Sequence, residues 1–375
     1  MTLVLASGDH HWNERSRFAE CRRIHKWIAE QVAKEKPACF LSGGDVFDGA
    51  STPIEREAVA DWLTEVAETC PVLIARGNHD RGLDTFFMRR LATKHPIVVE
   101  ERCGVHVIGG LKIAAVAWPN RASVAAMLGQ PLTGTQIDEV AVEALRNVLR
   151  GLGQQKPDLL LGHWMISGAV TSVGQQLVGA ELEVGLADLA LAGAKMTIAS
   201  HIHAPQAWEY KKQPIAYCGS PYRTSYGETE RKSIIYADVT AKGVEWKRYV
   251  TPCTDMVLLT ADWTDGKLVF DGKGPLKSVV MGAECRLRYR VPADQRDAAR
   301  AAVADVKARM LGDGAENCKV EEQLTVQTRA RTPEIATAKT LADKLDVLWK
   351  SRGVELDAQR RARVLQKLSA IEEGA

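Results

Sequence analysis

The chain has 375 residues, 46% hydrophobic and 26% charged, which is enough apolar material for a sizeable core and excludes global disorder. Lysine and arginine total 49 against 47 aspartate and glutamate, and a net charge of +2 names no partner. No apolar run reaches the roughly 18–20 residues that span a bilayer. Met1–Ser7 lacks the basic flank of a signal peptide, and the 8 cysteines form no C-x-x-C pair. The expectation is a cytoplasmic chain with reduced thiols, outside the membrane, secreted and disulfide-stapled classes.

Through the first 200 residues short apolar runs alternate with amphipathic stretches. Leu3–Ser7, Ala38–Ser42, Val72–Ala75, Leu159–Gly162 and Met196–Ser200 read as buried strands. Ser16–Glu35, with Phe18, Cys21, Ile24, Ile28 and Val32, reads as a helix, as does Pro53–Thr69, with Ala58, Trp62 and Val66. The alternation predicts an α/β sandwich. From Trp208 to Tyr249 strand follows strand, with turn signals at Lys211–Pro214 and Ala241–Gly243, which predicts a second, antiparallel sheet. A boundary is expected at Pro252–Pro275, where Gly, Asp and Lys accumulate. Beyond it a strand (Cys285–Val291), an Ala-rich helix (Asp294–Leu311) and a strand (Lys319–Val326) make a small α+β unit. Thr332–Pro333 then opens a helical tail. The expected division is 1–252, 253–330 and 331–375.

Each of the five apolar runs ends in metal-ligand chemistry. The loops read Ser7-Gly8-Asp9-His10-His11, Gly43-Gly44-Asp45-Val46-Phe47-Asp48, Gly77-Asn78-His79-Asp80, Gly162-His163 and Ser200-His201-Ile202-His203. Taken singly, Asp9 or Asp45 is a turn or cap residue, Asn78 a turn former and His163 a buried imidazole, while Asp48 and Asp80 could bond their own turns. The conjunction of five strand ends is what predicts a metal site, placed where an open α/β sheet places its ligands. His25, His95 and His106 belong to no such loop. Carboxylate, imidazole and amide donors without thiolate suit ions such as manganese or iron. So many donors suggest two ions, and ions about 3.5–4 Å apart can clamp an in-line phosphoryl displacement. Phosphate ester hydrolysis is the chemistry expected.

The order D-x-H, G-D-x-x-D, G-N-H-D, G-H and x-H-x-H resembles the calcineurin-like metallophosphoesterases. More narrowly, Gly44-Asp45-Val46-Phe47-Asp48 and Gly219-Ser220-Pro221-Tyr222-Arg223-Thr224-Ser225-Tyr226-Gly227-Glu228 resemble the SbcD-type DNA repair nucleases. The likeness continues through Arg329-Ala330-Arg331-Thr332-Pro333-Glu334. It implies a metallophosphoesterase β-sandwich flanked by helices, with a small α+β capping domain and a C-terminal helical tail. It further implies that Asp9, His11 and His203 hold a first metal ion, that Asp45 bridges, and that Asn78, His163 and His201 hold a second, most simply Mn²⁺ at both. A hydroxide between the ions would be the nucleophile, with His79 acting on the phosphate or leaving group and Asp80 orienting its ring. Ser200 stands where the family usually has glycine, and His10 fills a variable position, read as behind the ligands or facing solvent.

Three further features bear on partners. Arg286, Arg288 and Arg290 alternate with Leu287, Tyr289 and Val291, which puts three guanidiniums on one strand face, either solvated or tracking DNA phosphates. Trp12 and Trp164 read first as core and second as groove lining. In the tail, Ala338, Leu341, Leu345 and Leu348 make one apolar stripe before a stop at Gly353. After a cap at Asp357, Ala358, Leu365, Leu368 and Ile371 make another. The stripes suit docking on a partner, which the resemblance implies is an SbcC-like ABC-type coiled-coil ATPase. The reading that unites these features is a homodimeric, Mn-dependent DNA nuclease. Its rivals are a phosphodiesterase or phosphatase for small phosphoesters, and a scaffold for the ATPase.

Overall fold

The apolar runs are buried on both faces, and that fixes their place. In β1 (Thr2–Ser7) Val4 and Ala6 point into one core and Leu5 into another. In the same way β2 (Cys39–Ser42) separates Leu41 from Phe40, and β3 (Val72–Ala75) separates Leu73 from Val72. A strand apolar on both sides belongs in a sheet covered on both sides. The structure, a computed structural model, describes the chain apart from residues 120–133, 173–180, 273, 326–333, 355 and 373–375.

One six-stranded sheet has the order β14 (Val244–Val250), β13 (Ser233–Val239), β1, β2, β3 and β4 (Ile97–Glu100). A second has the order β11 (Ala207–Tyr210), β12 (Gln213–Tyr217), β10 (Met196–Ser200), β7 (Leu159–His163), β6 (Leu111–Val116) and β5 (Cys103–Ile108). The short strands β8 (Met165–Ile166) and β9 (Glu183–Val184) pair with each other. β1 to β4 are mutually parallel, and so are β6, β7, β10 and β12. Within each sheet the carboxyl ends therefore lie on one side, and contacts such as His163 Nδ1 to Gly43 O and His201 N to Asp9 Oδ1 bring the two sides to one edge of the sandwich.

Val4, Leu41, Leu73, Leu161 and Ile198 meet between the sheets. Helices α1 (Phe18–Glu35) and α2 (Pro53–Ala67) cover the first sheet, with Ile24, Ile28, Trp62 and Val66 packed on Leu5 and Phe40. The start of α2 is fixed by a reciprocal cap. Thr52 Oγ1 accepts from Glu55 N at 3.2 Å, and Glu55 Oε2 accepts from Thr52 N at 2.9 Å, with Pro53 at the first helical position. The short α3 (Gly82–Met88) follows the third loop, and α4 (Gly134–Gly153) covers the second sheet through Leu145 and Leu149. This is the α/β sandwich with flanking helices that the alternation predicts.

Two expectations are corrected. The strands between Trp208 and Tyr249 form no sheet of their own. Thr197–Ala199 pair with Ile215–Tyr217 and Thr2–Ala6 with Ile235–Val239, so β12 extends one sheet and β13 the other. A two-residue period marks a strand but does not say which edge it joins. The stretch Pro252–Pro275 is not a plain boundary either. It contains β15 (Asp255–Thr264) and β16 (Lys267–Phe270), joined at Asp265–Gly266 with φ of 50° and 76°, the positive values an Asp-Gly hairpin turn requires.

With β17 (Ala283–Pro292) and β18 (Asn317–Thr325) these make a four-stranded sheet of order β16-β15-β17-β18, packed on the helix Arg296–Gly312. Val326 and the run Arg329–Pro333, with the expected helix start at Thr332–Pro333, lie outside the described residues. The tail has helices Glu334–Thr337, Leu341–Ser351 and Ala358–Glu372. The first is cut short because Thr340 and Asp343 form a capping box of their own. Gly353 at φ 65° and Asp357, which accepts from Arg360 N at 2.8 Å, mark the stop and the next start as expected. Among the described residues no helix is long and apolar enough to cross a membrane.

Candidate metal centre

Five loops leave the carboxyl edge, and the backbone draws them together. Asp9 N donates to Gly44 O and His11 N to Asp45 O, both at 3.0 Å, which zips the first loop to the second. Gly44, at φ 93°, has its α-carbon so close to the third strand that a Cβ would fall 2.3 Å from Ala75 O. A Cβ on Gly8 or Gly43 would lie 2.0 or 1.9 Å from Ser200 Oγ. Those two glycines thus leave the room that the Ser200 side chain takes. Asp9, His11, Asp45 and His201 sit at φ of 51°, 43°, 48° and 114°. Such conformations cost roughly 1–3 kcal/mol each and concentrate where a site over-determines the backbone.

Among the described residues three groups of donors converge, one of them His11, Asp48 and His79, and the other two share one carboxylate. Ligand atoms of Asp9, His11 and Asp45 lie within 4.8 Å of one another, and so do those of Asp45, His163 and His201. Asn78 joins the second set, its Oδ1 being 2.8 Å from His163 Nε2 and 3.2 Å from His201 Nδ1. His203 joins the first, its Nε2 being 2.9 Å from His11 Nε2. Donors about 2.1 Å from an octahedral ion stand about 3 Å apart, so these spacings fit cation-binding shells. Asp9 supplies a second indication. It is fully buried, its Oδ1 accepts from His201 N at 2.8 Å, and its Oδ2 has no hydrogen-bond partner. A buried carboxylate oxygen left so is costly unless a cation or donor meets it.

Each imidazole is held by an acceptor on its far nitrogen. His11 Nδ1 donates to Asp48 Oδ1 at 3.0 Å, His203 Nδ1 to Glu228 Oε1 at 3.2 Å, and His201 Nε2 to Glu181 Oε2 at 2.6 Å. His163 Nδ1 donates to Gly43 O at 2.8 Å. Carboxylates and carbonyls only accept, so these contacts set the tautomer and turn the other nitrogen inward, the arrangement seen around metal-binding histidines. Glu228 is itself held by buried Lys232, 2.7 Å from its Oε2.

Charge follows from this packing. Burial works against a charge on His11, but the Asp48 hydrogen bond and the Asp45 carboxylate outweigh it and push the ring up to about 9. Burial likewise opposes a charge on His163, and Asp45 raises it to about 9. Burial would raise Asp45, yet His163 and His11 hold it far below the carboxylate range. Without an ion the pocket therefore pairs ionised Asp45 with charged His11 and His163 rings, and a metal ion binding there must displace a proton from each ring.

Asp80 does not do what was expected of it. Its Oδ1 accepts from Val46 N at 2.8 Å and Phe47 N at 3.3 Å, and its Oδ2 from Gly77 N at 3.0 Å. The carboxylate ties the second loop to the third rather than orienting His79, because these amides reach it first. Burial and the nearby Asp45 charge push it up to about 6. His79 is instead oriented by the Asp48 carbonyl, which accepts from its Nδ1 at 2.9 Å. Its ring centroid is 5.1 Å from that of His11.

His10 does not face solvent. It is fully buried, hydrogen-bonded at 2.9 Å to His25 and at 3.0 Å to Ser42 Oγ. Trp12 and Trp164 are core residues, 2% and 0% exposed. The aromatic residue beside the ligands is Trp118, whose ring centroid lies 4.8 Å from that of His201. Sequence reasoning missed Trp118, Glu181 and the role of Glu228. Only Glu228 had a signal, its place in the Gly219–Glu228 stretch, where Tyr222 also donates to His11 O at 2.8 Å.

Arg286, Arg288 and Arg290 do share one face of β17, but carboxylates match them. Arg288 forks onto Glu321 at 3.0 and 3.2 Å, Arg290 pairs with Asp262 at 2.7 Å, and Arg286 lies 3.8 Å from Glu321 Oε2 and 4.3 Å from the Tyr226 ring centroid.

The sequence profile described as calcineurin-like phosphoesterase matches residues 2–205. The chain belongs to that family. Calcineurin-like phosphoesterases bind divalent metal ions, and the two donor sets lie in the matched residues. Three solved structures are similar. GAP50, described as the anchor in the inner membrane complex of Plasmodium, is 15% identical with a TM-score of 0.43, covering 66% of this chain and 84% of that one. An archaeal phosphodiesterase is 11% identical with a TM-score of 0.34, covering 66% and 99%. A predicted phosphoesterase from Streptococcus pneumoniae is 11% identical with a TM-score of 0.28, covering 66% and 98%. At these scores they add nothing to the family assignment.

Proposed function

We propose that this calcineurin-like phosphoesterase is a two-metal DNA nuclease of the SbcD type. The observation that carries the metal part is the Asp45 carboxylate, common to both donor sets. Asp9, His11 and His203 would hold one ion, and Asn78, His163 and His201 the other, with Mn²⁺ the ion that suits them. Such ions supply charge for the phosphoryl oxygens and a lowered pKa for the attacking water. The chain's own groups do the rest. His79, with hydrogen on Nδ1 bound by the Asp48 carbonyl, has Nε2 as the atom that gives or takes a proton at the leaving oxygen. Glu181, Asp48 and Glu228 keep the ligand rings from turning.

The substrate part is supported by the Gly219–Glu228 stretch, on which the SbcD resemblance rests and which touches His11 and His203. The reading extends to a homodimer in the cytoplasm, with residues 253–330 capping the site and 331–375 docking an SbcC-like ATPase. Arg286, Arg288 and Arg290 are retained as a DNA contact, one that must displace Glu321 and Asp262. The test is to incubate the purified chain and Mn²⁺ with end-labelled single- and double-stranded DNA, beside bis(4-nitrophenyl) phosphate. Cleavage of DNA is expected. Hydrolysis of the small diester with intact DNA would favour the small-phosphoester reading.

A further inference from the structure

Beside the proposed first ion lies a cavity of about 200 Å³ lined by His11, Asn13, Arg17, Asp48, Tyr222 and Thr224, with exposed Ser16 among its lining residues. Most of its polar groups are engaged. The Tyr222 hydroxyl donates to His11 O, the Thr224 hydroxyl to Glu228 Oε1 at 2.6 Å, and Asn13 Nδ2 to Asp48 Oδ2 at 2.8 Å. Arg17 is the exception. Its side chain is 8% exposed, yet none of its three guanidinium nitrogens makes an aligned hydrogen bond. Nη1 lies 2.6 Å from Glu284 Oε1 of the capping sheet, and Nη2 lies 3.7 Å from Glu20 Oε1. The guanidinium is thus buried against the cavity it shares with His11 and Asp48, held by one close ion pair at Nη1 and with no partner for Nε. A guanidinium in that state suits a planar or tetrahedral oxyanion that can take two donors at once.

We propose that this cavity is a phosphate subsite in which Arg17 holds the backbone phosphate next to the scissile one. The substrate class it selects is a strand of linked phosphodiesters rather than an isolated phosphoester. The inference rests on the nuclease reading above and deepens it. The Glu284 carboxylate then stands in the position of a competing anion, supplied by the capping sheet, which a strand phosphate must replace.

The test measures binding with the metal chelated, so that nothing is cut. Fluorescence anisotropy gives dissociation constants for a labelled single-stranded oligonucleotide and for copies in which each linkage in turn is the uncharged methylphosphonate. In the wild type, neutralising one linkage should weaken binding about ten- to a hundredfold, the size of a lost charge-assisted contact. In Arg17→Gln that position should lose its effect, while the other positions keep theirs. Glu284→Gln removes the competing anion and keeps the guanidinium, so it should bind the oligonucleotide more tightly overall while that position keeps its effect. An Arg17→Gln profile identical to the wild type would overturn the subsite. So would a Glu284→Gln profile that loses the position as well, since the effect would then belong to the ion pair. A wild type that binds no oligonucleotide yet hydrolyses bis(4-nitrophenyl) phosphate would sink the nuclease reading, and this inference with it.

Discussion

A ligand's type is legible in a sequence; what holds it still is not. Asp9, His11, Asp45, Asn78, His163, His201 and His203 stand out because they end apolar strands, and the structure brings all seven together. Glu181 carries no such mark. It lies 20 residues from His201 and reaches it only through the fold. Glu181→Gln should weaken metal binding about 10–100-fold, the usual cost of losing an orienting partner. A metal titration checks this, and unchanged affinity would return Glu181 to a merely structural role. His79 tests the chemistry rather than the binding. His79→Ser should slow cleavage by about 10²–10⁴ while metal content is kept. Loss of an ion in that variant would make His79 a ligand, in a set with His11 and Asp48, whose ligand atoms lie within 4.8 Å of its own.

Elements show where periodicity informs and where it stops. The buried parallel strands were readable because a run apolar on both faces has one home, and α2 was readable from the spacing of Ala58, Trp62 and Val66, whereas its Thr52–Glu55 cap emerged only in the structure. The partners of β12 and β13 were not, since pairing between residues such as Thr2 and Val239 leaves no local trace. The β15–β16 hairpin did leave one, the Asp265–Gly266 turn, hidden by the charged residues around it. The loops between elements depend on glycine at a few points. Gly44→Ala should be among the most damaging small substitutions, because a Cβ would strike the Ala75 carbonyl and the conformation is itself disfavoured. A loss of at least about 1–3 kcal/mol is expected, with weakened metal binding. Denaturant unfolding beside a metal titration measures both, and wild-type values in each would contradict the packing described.

At the scale of the whole molecule, two sheets bring five loops to one edge, a second small sheet supplies Glu284 toward Arg17, and a helical tail follows. The tail's apolar residues stay partly or fully exposed: Leu341 is 45% exposed, and Leu345, Leu348 and Leu365 are intermediate. The side chains of Leu368 and Ile371 lie outside the described residues. Stripes of this kind fit a groove on another protein. A chain ending at Ala330 should keep metal-dependent hydrolysis and no longer co-purify with an SbcC-like ATPase; undiminished co-purification would refute docking through the tail. The central claim, however, is that one carboxylate joins two ions at the meeting of the five loops. It is tested most directly by metal analysis of the wild type and Asp45→Ala after loading with Mn²⁺ and removal of the excess. The wild type should hold two ions per chain and Asp45→Ala should fail to hold the pair; two ions retained in Asp45→Ala would contradict the account.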